Sequence, residues 1–334
     1  MTDVLSGNMR SMTQISEESI FLFGGQGSQY FGMALSLYRE NAEFRRSMDW
    51  LNSVCQSRHG ISVIDYIYDE RRGMSEPCDD LALSNAAIFM IEYALSDVLR
   101  KDGVIPSRLI GCSLGEFVAM AVAGHISAER VLDFVVELAR SAERYLPPGG
   151  MLAVLGDPGL YNSLPELREN TEIASVSHDR HFIVAGGSGG LRRAAQALDD
   201  RDVIAVMLPV RFAFHSSAMD SLRDVVSEVA DSMAYDEPAS TVVSASTGGA
   251  ITRFEPVDCW RTLRNPIAFT DAISSIPAAE SYTYIDLTPS STLATMMKSS
   301  HPEYVAYPII TPFGNELANL ESIRSSLPRV SMNN

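Results

Sequence analysis

Apolar residues follow two different periods along this chain, and the changes of period mark out its elements. Short continuous runs, Phe21-Leu22-Phe23 and Leu109-Ile110, read as buried strands. Val131, Val135, Leu138 and Ala142 instead fall on one stripe at about 100° per residue, which predicts an amphipathic helix over 130–145. Leu138 faces inward with that stripe, whereas Arg140 and Arg144 lie about 200° and 240° round from it. Pro147-Pro148-Gly149-Gly150 then breaks the chain. Beyond the break, strand-like segments at 151–155, 173–176, 182–185 and 203–208 alternate with helical ones near 160–167 and 191–198. That βαββαβ order is the ferredoxin-like pattern. Later strands near 241–244 and 284–287 rejoin the first unit, giving an α/β protein with an inserted α+β unit.

Composition narrows the function classes. With 334 residues, 46% of them hydrophobic, the chain can bury a large core. Its formal charge of −16 argues against a nucleic-acid role, which needs a concentrated basic face. Cys55, Cys78, Cys112 and Cys259 show neither C-x-x-C nor Cys/His spacing, so no metal site is expected and a reducing compartment is. Residues 1–18 are polar, without the basic start and apolar run of a secretory signal. No uninterrupted apolar stretch approaches the roughly 20 residues of a membrane span. The expectation is a cytoplasmic protein without a membrane role.

Three segments carry candidate chemistry. In Gly111-Cys112-Ser113-Leu114-Gly115-Glu116 a β-branched run enters a Gly-x-Ser-x-Gly turn that opens into an apolar helix. This is the layout of a nucleophile elbow, which leaves the Ser113 hydroxyl free beside main-chain N–H groups. Gly24-Gly25-Gln26-Gly27-Ser28-Gln29 is a glycine-rich loop after a strand, and it fits neither phosphate-binding fingerprint. Its Gln26 N–H, with that of Leu114, is a candidate oxyanion hole. His215 closes the apolar stretch 203–214 and is the candidate base. Of the other histidines, His59 and His301 lie in polar segments, His125 in a helix connection, and His178 and His181 beside a hairpin. Cys112 reads as a small apolar residue rather than a second nucleophile.

In order and rough spacing, Gly25-Gln26-Gly27-Ser28-Gln29, Gly111-x-Ser113-Leu114-Gly115-Glu116 and His215 resemble the malonyl-CoA:acyl-carrier-protein acyltransferase family, over about residues 20–327. The resemblance implies a large α/β-hydrolase-like domain with a parallel sheet, residues 19–147 and 209–328, around a small ferredoxin-like domain, 148–208. Residues 1–18 and 329–334 are then flexible termini. It also implies that Ser113 is acylated, His215 is its base, and the Gln26 and Leu114 amides hold the oxyanion. In Asn265-Pro266-Ile267-Ala268-Phe269-Thr270, the main-chain carbonyl of Ala268 takes the position that orients the histidine. No cofactor is implied, the substrate being carried on the phosphopantetheine of an acyl carrier protein or of CoA.

The departures from the family refine this picture. Cys112 stands where the family usually has histidine, and Asn85 where it commonly has glutamine; Asn85 reads either as a cleft residue or, preferably, as a helix cap. Malonyl-loading members carry an arginine in the helix after the elbow that pairs with the free malonyl carboxylate, and an ungapped count places Leu138 there. With Leu138, Cys112, Asn85 and Phe214 around it, the acyl pocket favours neutral groups, because a carboxylate buried against leucine loses about several kcal/mol. Phe23-Gly24-Gly25-Gln26-Gly27-Ser28-Gln29-Tyr30, Gly115-Glu116-Phe117, Pro148-Gly149-Gly150-Met151-Leu152-Ala153 and Ala213-Phe214-His215-Ser216-Ser217 also resemble a branch associated with trans-acyltransferase polyketide synthases, whose acyltransferase-like members hydrolyse stalled acyl groups from carrier proteins. An acyl-carrier-protein thioester hydrolase is therefore the expected function. The alternatives are a transacylase loading extender units and a non-catalytic docking subunit. An acidic carrier docking on this acidic chain needs a basic patch, for which Arg180, Arg192, Arg193, Arg201, Arg211 and Arg264 are the candidates.

Overall fold

The computed structural model describes residues 18–277 and 282–327. Its larger sheet has six strands: β1 (Glu18–Phe23), β2 (Pro106–Gly111), β7 (Thr241–Ser244), β8 (Gly249–Ile251), β9 (Tyr282–Asp286) and β10 (Ala306–Pro308). They lie in the order β10-β9-β1-β2-β7-β8, parallel except for β8, which runs antiparallel at the edge. The second sheet holds β3 (Gly149–Leu155), β4 (Glu172–His178), β5 (His181–Gly187) and β6 (Ile204–Met207), all antiparallel in the order β4-β5-β3-β6. That is the ferredoxin-like arrangement, inserted between β2 and β7 of an α/β-hydrolase-like domain.

β1 shows why its sequence reads as one apolar run. Phe21 and Phe23 pack with Phe89, Phe117 and Val135 on one face of the sheet, while Ile20 and Leu22 pack with Ile110, Ile273 and Leu293 on the other. A parallel strand covered on both faces leaves no room for alternation. Each such side chain contributes about 1.5–3 kcal/mol on burial. The 130–145 prediction corresponds to a helix at Ala128–Tyr145, whose Val131, Val135, Leu138 and Ala142 are all buried.

Several expectations need correction. The single helix expected near 160–167 is two short turns, Leu160–Ser163 and Pro165–Arg168, because Pro165 lacks an N–H and holds Leu164 extended before it. Glu18 opens β1 rather than belonging to a terminal tail; the tails themselves, 1–17 and 328–334, lie outside the described residues. The Leu81–Lys101 helix is long and apolar enough to match a membrane span by length and composition, although Ser84, Asn85, Glu92 and Asp97 interrupt its apolar residues, and most of it is buried in the core.

β1 and β2 are parallel neighbours in which Phe23 pairs with Gly111, so the glycine loop and the serine turn leave the sheet side by side at its carboxyl edge. In α/β sheets that edge is where ligands bind.

Candidate active site

The serine turn owes its shape to close contact. A Cβ on Gly115 would lie 2.2 Å from the carbonyl oxygen of Phe23, so the first turn of the Leu114–Ala123 helix presses directly on the end of β1. Ser113 is left at φ 56° and ψ −126°, a conformation that costs a non-glycine residue about 1–3 kcal/mol. The same contact fixes the glycine loop against the turn: a Cβ on Gly25 would stand 3.1 Å from Ser113 Cβ and 3.2 Å from the Leu114 nitrogen. Gln26 and Leu114 both line the cleft, and neither main-chain N–H donates to a protein acceptor among the described residues.

His215 reaches the serine from the returning chain after β6. Its Nε2 lies 2.8 Å from Ser113 Oγ, and its Nδ1 lies 2.9 Å from the carbonyl oxygen of Asn265. A carbonyl only accepts, so Nδ1 carries the proton and Nε2 offers its lone pair to the serine hydroxyl. The ring is buried, and desolvation lowers its pKa to about 4 against a smaller opposing effect of the Asn265 bond. His215 is therefore neutral, and able to accept a proton, from about pH 5 upward.

The orienting carbonyl is a correction. The Ala268 carbonyl instead accepts from the Ala272 N–H, 3.0 Å away, at the start of the Phe269–Ser274 helix. Asn265, three residues earlier, ends the Pro256–Arg264 helix and turns its carbonyl toward the ring. Both lie in the same Asn-Pro-Ile-Ala segment, and the residue within it cannot be chosen without knowing where the helix stops.

The cleft between the two sheets has a volume of about 250 Å³. Leu138, Cys112, Asn85 and Phe214 all line it, with Leu114, Phe117, Met151 and Ile183 among the other apolar contributors. No Lys, Arg, Asp or Glu side chain is among its described lining residues. Arg140 points away, donating to the carbonyl of His59 at 2.9 Å and facing Glu137. Arg144 stacks on Tyr145 at the far end of the helix. His59 is not a surface residue as its polar neighbours suggested; its ring is buried against Asp133, 2.9 Å away. Asn85 is not a cap either, since Asp80 caps the Leu81–Lys101 helix; Asn85 accepts from Gln26 Nε2 at 2.7 Å and so steadies the glycine loop. The Cys112 thiol is buried, and desolvation pushes its pKa up, away from thiolate chemistry.

The acyl transferase domain model matches residues 20–314. The chain belongs to that family. It is 37% identical over 312 residues, 92% of this chain and 96% of the other, to the polyketide biosynthesis acyltransferase homolog PksD of Bacillus subtilis (strain 168). It is likewise 37% identical, over 94% of this chain and 98% of the other, to the homolog BaeD of Bacillus velezensis (strain DSM 23117 / BGSC 10A6 / LMG 26770 / FZB42). Among solved structures it matches the acyltransferase domain from the second module of the salinomycin polyketide synthase, with a TM-score of 0.82 and 26% identity over 92% of this chain and 72% of that one. The acyl transferase fold accounts for both the inserted sheet and the cleft beneath it.

Among the suggested docking arginines, Arg264 pairs with Asp220 at 2.8 Å and Arg211 with Glu143, so both are largely neutralised. Arg180 and Arg192 are exposed on the small domain.

Proposed function

We propose that this protein hydrolyses neutral acyl thioesters from acyl carrier proteins, as an editing enzyme of polyketide biosynthesis. The observation that carries the reading is the cleft around Ser113, whose described lining includes Leu138 and no Lys or Arg to receive a malonyl carboxylate. His215 Nε2 takes the Ser113 proton, Oγ attacks the thioester carbonyl, and the Gln26 and Leu114 amides receive the oxyanion. Collapse expels the carrier thiol, which regains the proton from His215. A water molecule, deprotonated by the same nitrogen, then attacks the acyl-serine and releases the free acid and Ser113. The relatives named for polyketide biosynthesis support the carrier-bound class of substrate. The family description favours a second reading, in which a carrier thiol replaces water and the acyl group is transferred. A bare docking subunit has no physical use for a serine held at positive φ opposite a histidine.

The test is to mix the protein with butyryl-carrier protein, map the acyl adduct by peptide mass spectrometry, and follow butyrate release. An adduct on Ser113, with turnover in Ser113→Ala reduced by about 10³-fold or more, is expected. Near-normal cleavage by Ser113→Ala sinks the assignment.

A further inference from the structure

Ser113 and His215 belong to a closed ring of hydrogen bonds that runs through a carboxyl group outside the cleft. From Ser113 Oγ the ring passes to His215 Nε2 at 2.8 Å, and from His215 Nδ1 to the Asn265 carbonyl at 2.9 Å. The Asn265 side-chain Nδ2 donates to the Ser246 carbonyl at 3.1 Å, and the Ser246 N–H donates to Glu116 Oε1 at 2.6 Å. The Glu116 N–H closes the ring on the Ser113 carbonyl at 2.9 Å. A second tie reinforces it. Thr262 Oγ1, on the helix that ends at Asn265, donates to Glu116 Oε2 at 2.9 Å.

Glu116 is completely buried and does not line the cleft. Its carboxyl accepts from Ser244 Oγ, Ser246 N–H, Ser246 Oγ and Thr262 Oγ1, which come from the end of β7 and from the Pro256–Arg264 helix. Burying a carboxyl without these donors is strongly unfavourable, so the donors and the acid select one another. The main-chain acceptor that orients His215 is aimed by the way its own residue is anchored. Its position is inherited from whatever holds Asn265, and Glu116 is tied to that residue through Ser246, which accepts from the Asn265 side chain, and through Thr262, three residues earlier on the same helix.

We propose that Glu116 is a positioning residue, which fixes the Asn265 carbonyl and thereby the His215 ring relative to Ser113. The proposal rests on the Ser113–His215 chemistry above and adds to it the element that sets its geometry. Ser246 N–H can only donate, whereas the Ser244, Ser246 and Thr262 hydroxyls can turn to accept, so Glu116→Ala removes every tie while Glu116→Gln, with its oxygen toward Ser246 N–H and its N–H₂ toward the hydroxyls, keeps them.

The experiment is a double-mutant cycle on butyryl-thioester cleavage, measured by rapid quench with protein in excess so that slow backgrounds remain readable. Glu116→Ala in the native sequence is expected to lower the acylation rate by about 10- to 100-fold with little change in KM, the scale of a small misplacement of a reacting group, and Glu116→Gln to restore most of that rate. In a His215→Ala background Glu116→Ala is expected to cost less than about 3-fold, because no base remains to be oriented. A loss of equal size in both backgrounds overturns the proposal, as does a folded Glu116→Ala with native rate. If Glu116→Ala does not fold, Thr262→Val, which removes one donor and leaves the acid, goes through the same cycle with the same pair of outcomes. Failure of the underlying chemistry shows separately, as a native rate in Ser113→Ala.

Discussion

Replacing Leu138 by arginine asks the pocket to accept the charge it now excludes. Leu138 is 9% exposed and lies in a cleft without a charged lining side chain among the described residues. A malonyl group entering the native cleft gives up hydration of its free carboxylate and meets only hydrocarbon and neutral dipoles. Taking about 3 kcal/mol as the low end of that penalty, malonyl is disfavoured against butyryl by roughly 10²-fold. In Leu138→Arg, a guanidinium at the same helix position offers a bidentate partner, which recovers most of the penalty. The malonyl-to-butyryl ratio of kcat/KM is then expected to rise by about 10²-fold, with butyryl turnover reduced because the arginine is unpaired when a neutral group is bound. Leu138→Gln, polar but uncharged, separates charge from mere polarity and is expected to leave malonyl poor. The assay is acyl-enzyme formation from the two carrier-bound thioesters, with thermal unfolding run alongside to show that each variant is folded. A folded Leu138→Arg whose acyl preference matches the native protein refutes the reasoning, since Leu138 then does not face the acyl group.

Two further outcomes follow from the same geometry. The burial that lowers the His215 pKa to about 4 favours its neutral form, and the neutral form is the competent base. Burial raises the Glu116 pKa to about 7, a titration that Glu116→Gln removes; as pH falls, activity from His215 is retained through 6.5 and lost only near 4, so an acid limb of kcat/KM at 6.5 that survives in Glu116→Gln contradicts a desolvated ring. Gly115→Ala is expected to prevent folding or lower the unfolding temperature markedly, because its methyl meets the Phe23 carbonyl oxygen and the backbone on both sides is fixed. Expression and thermal denaturation at native levels contradict the contact.

Local pattern carried much of this site. Ser113 announces itself because the turn it needs demands glycines on both sides; for Leu138 the helix stripe gave only an inward direction, and the family resemblance, counted without gaps from the serine, gave its place at the acyl group. The βαββαβ insert was readable from alternation of segments. Other features depend on where separate segments meet. The choice between Asn265 and Ala268 turns on the last residue of a nine-residue helix, which periodicity does not define. His59 looked superficial among Ser57, Arg58 and Gly60, yet Asp133 from a distant helix covers it. Asn85 had the chemistry of a cap, but the cap was Asp80, and its partner Gln26 lies 59 residues away in sequence. β8 and β10, with three residues each, are too short for any period to show. Glu116 was visible as an acid beside the serine turn; its role depends on Ser246 and Thr262, 130 and 146 residues further on.

The most direct test presents acetyl-, butyryl- and malonyl-carrier proteins to the enzyme together and follows each by intact-protein mass spectrometry, with Ser113→Ala as control. The expected result is conversion of the acetyl and butyryl carriers to free carrier and free acid, with malonyl-carrier spared and no conversion by Ser113→Ala. Retention of the neutral groups, together with efficient loading of empty carrier from malonyl-CoA, contradicts the account and makes the protein an extender-loading transferase.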